Sequence, residues 1–373
     1  MKKNNTNYYI YLFSIIFLFL AYFVFRGLLG FDLVSDEIYY LNEDPDLDRR
    51  RRLFLHFAQI FDSTYLNIAN ILLLNFIALL TSYHFLSKIN SNNYLLTFFQ
   101  LIYVTSIANY ILRDTLVFAL LFISISFLFY LFDNYNKIDF QNKFKSIIFI
   151  LIPMFLISEL RFQFVIMFLL SVFGAFLLTK HFKKTVIFLV IFIPLIISNI
   201  DPRFIFEYQL YELNTIFSYE ASIYSFLLER ADRWGVDFSF SSFTFSSIRH
   251  IFAPIPTSLI FRIISPEIWN EYGLIDDIYR LVHRVTLYFI IFYISINSLK
   301  IFKIISENKF KIIFLFLFSL QNIVLYSLFE AGGGHERVKI CSYLIFYFIF
   351  AKIIEYNLNQ EDNYQKDNNF SRI

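Results

Sequence analysis

Residues 8–29 read YYIYLFSIIFLFLAYFVFRGLL, an apolar run close to the ~20 residues a helix needs to cross a bilayer. Lys2 and Lys3 precede it, as they would in a secretory signal peptide. The run is longer than a signal core of ~7–15 residues, and no small-x-small cleavage site follows before the chain continues into Gly30–Asp36. It reads as a retained first helix.

Similar runs recur along the chain, among them Ile147–Ser158. Hydrophobic residues make up 58% of the 373 positions and charged ones 17%, against about 45–50% and about 25% in a soluble domain. One soluble core could not hide so many apolar runs, whereas lipid accepts them directly. Polar alternation of the β-barrel kind is absent from the runs. Helices satisfy their own backbone hydrogen bonds in lipid. The expected fold is therefore all-α, a polytopic membrane domain over 1–356 with about ten transmembrane helices at 8–29, 67–87, 94–112, 115–132, 146–160, 162–179, 185–200, 285–299, 311–329 and 338–355. The formal net charge of +2 gives no reason to expect a nucleic-acid partner. The single cysteine, Cys341, excludes an intramolecular disulfide framework and thiolate metal clusters.

Orientation follows from basic residues in the short loops. Lys2/Lys3, Lys88, Lys137/Lys143/Lys145, Lys180/Lys183/Lys184, Lys300/Lys303/Lys309/Lys311 and Lys352 all fall on one side. That side is expected to be cytoplasmic, with both termini on it. Ile251–Ile264 is apolar enough to be an eleventh crossing, but crossing would put the Lys300–Lys311 loop outside. It also carries Pro254, Pro256 and Arg262. It reads as a re-entrant or interfacial segment within a large external region, 201–284, in which Tyr208–Asp232 has an amphipathic pattern. The polar tail 357–373 reads as disordered.

Lysine dominates the cytoplasmic loops; arginine and carboxylates collect at the opposite helix ends. The first external loop holds Asp36, Glu37 and a run of acids followed by Arg49–Arg52. Arg113–Asp114 and Glu159/Arg161 each sit between two long apolar runs with almost no loop. The long loop brings Arg249, His250, Arg262, Arg280, His283 and Arg284, and the last external turn reads Gly332-Gly333-Gly334-His335-Glu336-Arg337. A charge at the hydrocarbon edge costs a few kcal/mol unless it is paired or faces a wet cavity. The planar fork of arginine binds phosphate oxygens bidentately and keeps its proton. Arg113, Asp114, Glu159, Arg161, Arg249 and Arg337 are thus candidates for holding a lipid-linked diphosphate. The plainer alternatives are that Asp114 meets the positive end of a helix dipole and that Arg113 and Arg161 snorkel to headgroups. Candidates for a general base are Asp36, His250, His335 and Glu336. Against them stand a solvated acidic loop neutralised by Arg49–Arg52 and ordinary surface histidines. No metal-ligand spacing stands out apart from the acidic stretch Asp44–Asp48. No metal or cofactor is expected. Gly-x-Ser-x-Gly is missing.

These residues resemble a family. Ile111-Leu112-Arg113-Asp114-Thr115 at a helix start, Glu159-Leu160-Arg161-Phe162 between helices and Ala253-Pro254-Ile255-Pro256 after a long loop look like stretches of bacterial O-antigen and capsule polymerases of the Wzy type. The resemblance implies a bacterial inner-membrane protein with a large periplasmic loop. It also implies undecaprenyl-diphosphate-linked oligosaccharides as substrates, and a flippase and chain-length regulator as pathway partners. A second resemblance, through Ser35-Asp36-Glu37-x-x-Tyr40 and Gly334-His335-Glu336-Arg337, is to polyprenyl-phosphate-dependent GT-C glycosyltransferases, which add single sugars. A clean Asp-x-Asp metal motif of that group is absent. The non-enzyme alternative is a flippase or transporter, which should carry charges deep in helix centres and pseudo-repeats.

Overall fold

The computed structural model describes residues 2–28, 35–42, 52–135, 137–180, 274–328 and 340–370. All regular structure among them is α-helical. The helices are α1 (Lys2–Leu28), α2 (Ser35–Asn42), α3 (Arg52–Ala58), α4 (Thr64–Ile89), α5 (Tyr94–Ile107), α6 (Asp114–Asn134), α7 (Phe140–Lys180), α8 (Leu274–Ile296), α9 (Ser298–Glu307), α10 (Lys309–Leu328) and α11 (Leu344–Phe370). Four stretches among them are long and apolar enough to cross a membrane: Thr6–Gly27, Thr64–Ile89, Asp114–Asn134 and Ile278–Ile296. Tyr94–Ile107 and Gln163–Thr179 are shorter apolar helices. Large apolar side chains such as Phe13, Phe17, Phe155, Phe292 and Phe302 lie exposed. Water would not tolerate so extensive an apolar surface; lipid explains it. The protein is a membrane-embedded helical bundle. The expected span 185–200, the segment 251–264 and the amphipathic stretch 208–232 lie outside the described residues.

Side-chain contacts fix the direction of each helix. At one end of the bundle, the Tyr83 hydroxyl donates to the Tyr8 carbonyl at 3.0 Å, and Tyr8 packs edge-on against Tyr94 at 5.3 Å. The start of α1, the end of α4 and the start of α5 therefore meet there. At the same end Lys311 pairs with Asp133 at 2.5 Å, and Lys300 donates to Asn357 at 2.7 Å. The opposite end is where Tyr22 and Tyr110 join hydroxyl to hydroxyl at 2.6 Å. Inside, Phe314 is flanked by Phe129 at 5.8 Å and Phe168 at 5.4 Å, and Phe348 packs on Phe129 at 6.0 Å. These rings hold α6, α7, α10 and α11 together.

The turns follow from local chemistry. Asn93 caps α5 by accepting from the Leu96 amide at 3.0 Å. The preceding turn is tight enough to put Ser91 and Asn92 at φ 56° and 61°. Helix α7 is two antiparallel arms joined at Arg161, whose φ of −155° and ψ of 82° make it the extended residue between them. The first arm runs back along α6, Phe149 stacking on Phe127 at 4.6 Å. The second runs along α10. A Cβ on Gly174 would lie 2.6 Å from Leu317 Cδ1, so glycine permits this approach of α7 and α10. The clash is with the tip of a flexible side chain. Gly174→Ala should unfold within about 1 kcal/mol of the parent, whereas Gly174→Leu should lose about 1–3 kcal/mol by overpacking. Thermal unfolding in detergent would measure both.

The structure differs from the sequence expectation in three places. Helix α8 starts at Leu274 rather than near 285, so Arg280, His283 and Arg284 leave the expected external region and stand on a helix. Ile278, Leu281, Val282 and Val285 repeat at helical spacing, which is why that stretch folds this way. The first external loop contains α2 and α3. Helix α11 continues to Phe370, because no glycine or proline interrupts the polar tail before that point.

Candidate functional site

Three groups of polar side chains are buried at the end of the bundle away from the start of α1. The first is built on α1 and α2. Arg26 and Glu37 form an ion pair with both side chains essentially inaccessible. Arg26 also donates to the carbonyl of Asn109, and its guanidinium lies 4.5 Å from the centre of the Tyr110 ring. The second Glu37 oxygen accepts from the Ile111 amide at 2.8 Å. Asn75 donates to the Tyr110 carbonyl at 2.7 Å. The short link between α5 and α6 is therefore held through its backbone at three successive residues. Buried backbone groups need such partners.

The second group joins α6 to the bend of α7. Sequence order suggested the pairs Arg113/Asp114 and Glu159/Arg161. The structure exchanges partners: Asp114 pairs with Arg161 at 2.5 Å, and Arg113 donates to the Leu160 carbonyl at 2.6 Å. The exchange has a local cause. Asp114 opens α6, where a carboxylate meets the positive helix end. Leu160 ends the first arm of α7, whose last carbonyls lack intrahelical donors, and Arg113 supplies one. Glu159 is exposed and stands apart from this group. Cys341 lies close enough to feel the charges of both Arg161 and Asp114, and next to it Ser342 donates to Asn322 at 2.6 Å.

The third group lies between α5, α8 and the start of α11. His283 is buried with its ring 6.2 Å from Tyr103, 6.0 Å from Tyr343 and stacked on Tyr347 at 6.2 Å. Arg280 lies over the Tyr103 ring at 5.7 Å, and Arg284 is buried beside His283 in sequence. Tyr22, 5.9 Å from Tyr279, connects this group to the first. The residues just before α11 connect it to the second, since Cys341 and Tyr343 are two residues apart.

Of the residues singled out from sequence, Arg113, Asp114 and Arg161 come together. Asp36 stands in the first turn of α2, beside the buried Glu37. Arg249, His250, His335, Glu336 and Arg337 lie outside the described residues. The acidic first loop, from its sequence, is expected either to hold a base or to be a solvated stretch neutralised by Arg49–Arg52; for Glu37 the partner is Arg26, and the carboxylate is buried. Arg26, Glu37 and His283 carry no sequence signal that sets them among the candidate site residues above, save one for His283: the spacing Arg280, His283, Arg284 is i, i+3, i+4, which places all three on one helix face. Among the described residues no three His, Cys, Asp or Glu side chains come together as a metal site requires.

Chemically, the arrangement gathers guanidinium groups from the α5–α6 link, α7 and α8 toward one end of an apolar bundle, while that of α1 is sealed against Glu37. Such groups suit an anionic head at the water interface of a lipid. Comparison with protein-family models, with curated proteins and with solved structures found no match.

Proposed function

We propose that this chain is a polysaccharide polymerase of the Wzy type, working at the outer face of a bacterial inner membrane. In this reading the bundle has about ten spans, with a large periplasmic loop over 201–284 containing a re-entrant or interfacial segment. Lysines at the end carrying the termini mark the cytoplasm. The substrates are two undecaprenyl-diphosphate-linked oligosaccharides, and flippase and chain-length regulator act beside it. One observation supports the reading above the others. Arg113, Arg161, Arg280 and Arg284, from distant parts of the chain, lie toward the end of the bundle opposite the lysines.

A diphosphate held there is already a good leaving group. A hydroxyl of the acceptor repeat loses its proton to a base. Its oxygen bonds to the anomeric carbon of the donor sugar, and the bond from that carbon to the phosphate oxygen breaks. Guanidinium groups stabilise the departing anion. Arg113, Arg161, Arg249 and Arg337 fill that role, Arg337 standing three residues before the helical turn at Ile340. The base comes from Asp36, His250, His335 or Glu336.

Deleting the gene should leave single-repeat glycans on the lipid carrier or its acceptor, seen as loss of the ladder on a gel of surface polysaccharide. A repeat lacking one sugar would replace this reading by a single-sugar transferase. Finished units trapped inside the cell would replace it by a flippase, and an unchanged ladder would end it.

A further inference from the structure

The Asp114–Arg161 pair is lopsided. Its partners lie 2.5 Å apart, yet the Arg161 side chain is 16% exposed and that of Asp114 only 2%. Asp114 is fixed as the first residue of α6, where its carboxylate meets the positive helix end. Arg161 stands between the two arms of α7. The bend has a tie of its own, because Arg113 holds the Leu160 carbonyl at 2.6 Å. The cation is therefore the member that can change partner.

We propose that a lipid diphosphate takes Arg161 from Asp114, and that the released Asp114 is the base that accepts the proton of the acceptor hydroxyl; substrate class and reaction rest on the function proposed above. A diphosphate offers the guanidinium several anionic oxygens in bidentate reach. A buried carboxylate that loses its cation is costly as an anion, and binding a proton neutralises it. Asp114 thus joins Asp36, His250, His335 and Glu336 as a base. It differs from them in being armed only while the diphosphate is in place. The hydroxyl oxygen bonds to the anomeric carbon and its proton passes to Asp114. The electron pair of the broken carbon–oxygen bond leaves with the diphosphate. When that product departs, Arg161 returns to Asp114 and the proton goes to water.

The carboxylate also has polar neighbours with unmet demand. Thr115, next in the chain, and Asn322 on α10 are fully buried. Among the described residues, the Thr115 hydroxyl and the Asn322 Nδ2 have no hydrogen-bond partner. Asn322 is held through its oxygen by Ser342 at 2.6 Å. Ser342 follows Cys341, which lies near enough to feel both charges of the pair. Unmatched buried polar atoms cost stability, so this place favours a hydroxyl beside Asp114. The charged or titratable groups around Asp114 are Arg113, Arg161 of α7 and Cys341 before α11. Glu159 of α7 is exposed, and the charged groups of α4 and α10, with His84 and Lys311 among them, stand at the opposite end of the bundle.

The test uses the full-length protein in lipid nanodiscs, titrated with a polyprenyl diphosphate capped by one sugar. Both of its phosphates are then diesters, which exchange no proton near neutral pH. Calorimetry in two buffers of different ionisation enthalpy should show uptake of about one proton per lipid bound. The infrared difference spectrum should gain a carboxylic-acid carbonyl band on binding. Asp114→Glu keeps the ion pair and should shift that band. The calorimetry needs no variant, so a misfolded Asp114→Glu leaves it decisive. No binding, binding without proton uptake, or a band unchanged in Asp114→Glu overturns the assignment. These outcomes separate from those of the gene deletion. Proton uptake with an unchanged polysaccharide ladder keeps the partner exchange and ends the polymerase reading. Single-repeat glycans, with lipid binding free of proton uptake, do the reverse.

Discussion

Arg161→Ala should lower polymer formation by about 10²–10³-fold, the loss seen when a group stabilising a developing anion is removed. The single variant is ambiguous, however. Asp114 is buried and paired with Arg161. Stripping one partner from a buried pair leaves an uncompensated charge and costs about 3–5 kcal/mol. Lost polymer would then follow from lost fold as readily as from lost phosphate contact. The decisive protein is the double variant Asp114→Asn, Arg161→Gln. It removes both charges, keeps hydrogen-bonding side chains at the bend of α7, and should remain near the parent in amount and thermal stability. If the guanidinium grips a diphosphate, the double variant still makes only single-repeat glycans. If Asp114–Arg161 is only a latch between α6 and α7, the double variant restores the polymer ladder. Arg161→Lys separates the cases further. It keeps the charge but loses the bidentate fork, and should retain a small fraction of activity.

Much of the bundle was legible because helices in lipid declare themselves by unbroken apolar length. Helix α6 and the two arms of α7 follow directly from the runs on either side of Arg113–Asp114 and Glu159–Arg161. That these charges matter to the bend was legible too, since so little loop surrounds them. Their pairing was not. Sequence neighbours Arg113 and Asp114 point to different partners, and only the packing of α6 beside α7 decides which carbonyl and which carboxylate each meets. Helix α8 was read short for a related reason. A hydropathy reading sees Arg280, His283 and Arg284 as leaving the membrane, whereas a polar helix face can stay buried when α5 and α11 cover it. Arg26 gave least warning. It sits within an apolar run, and its partner Glu37 lies in an acidic stretch where no spacing rule distinguishes it from its neighbours.

That last pair carries the other large prediction. Glu37→Ala should destabilise the protein by about 3–5 kcal/mol, visible as a lower apparent Tm and less monodisperse protein in detergent. Two losses combine in it. Arg26 is left charged in a fully buried site, and the Ile111 amide loses its acceptor. Glu37→Gln separates them, because its amide oxygen can still accept from Ile111 while the charge is gone. It should fall between Glu37→Ala and the parent. The double variant Arg26→Met, Glu37→Gln removes the orphaned charge and should recover most of the stability, as buried pairs replaced together often do. Activity need not recover with it. Arg26 and Glu37 together hold the backbone at Asn109 and Ile111, and two residues further on that link delivers Arg113 to the carbonyl of Leu160. A stable double variant with reduced polymer would assign the pair to positioning the arginines of α6 and α7. A stable double variant with a normal ladder would confine the pair to stability. If Glu37→Ala matched the parent in Tm, the pair would not be buried as described.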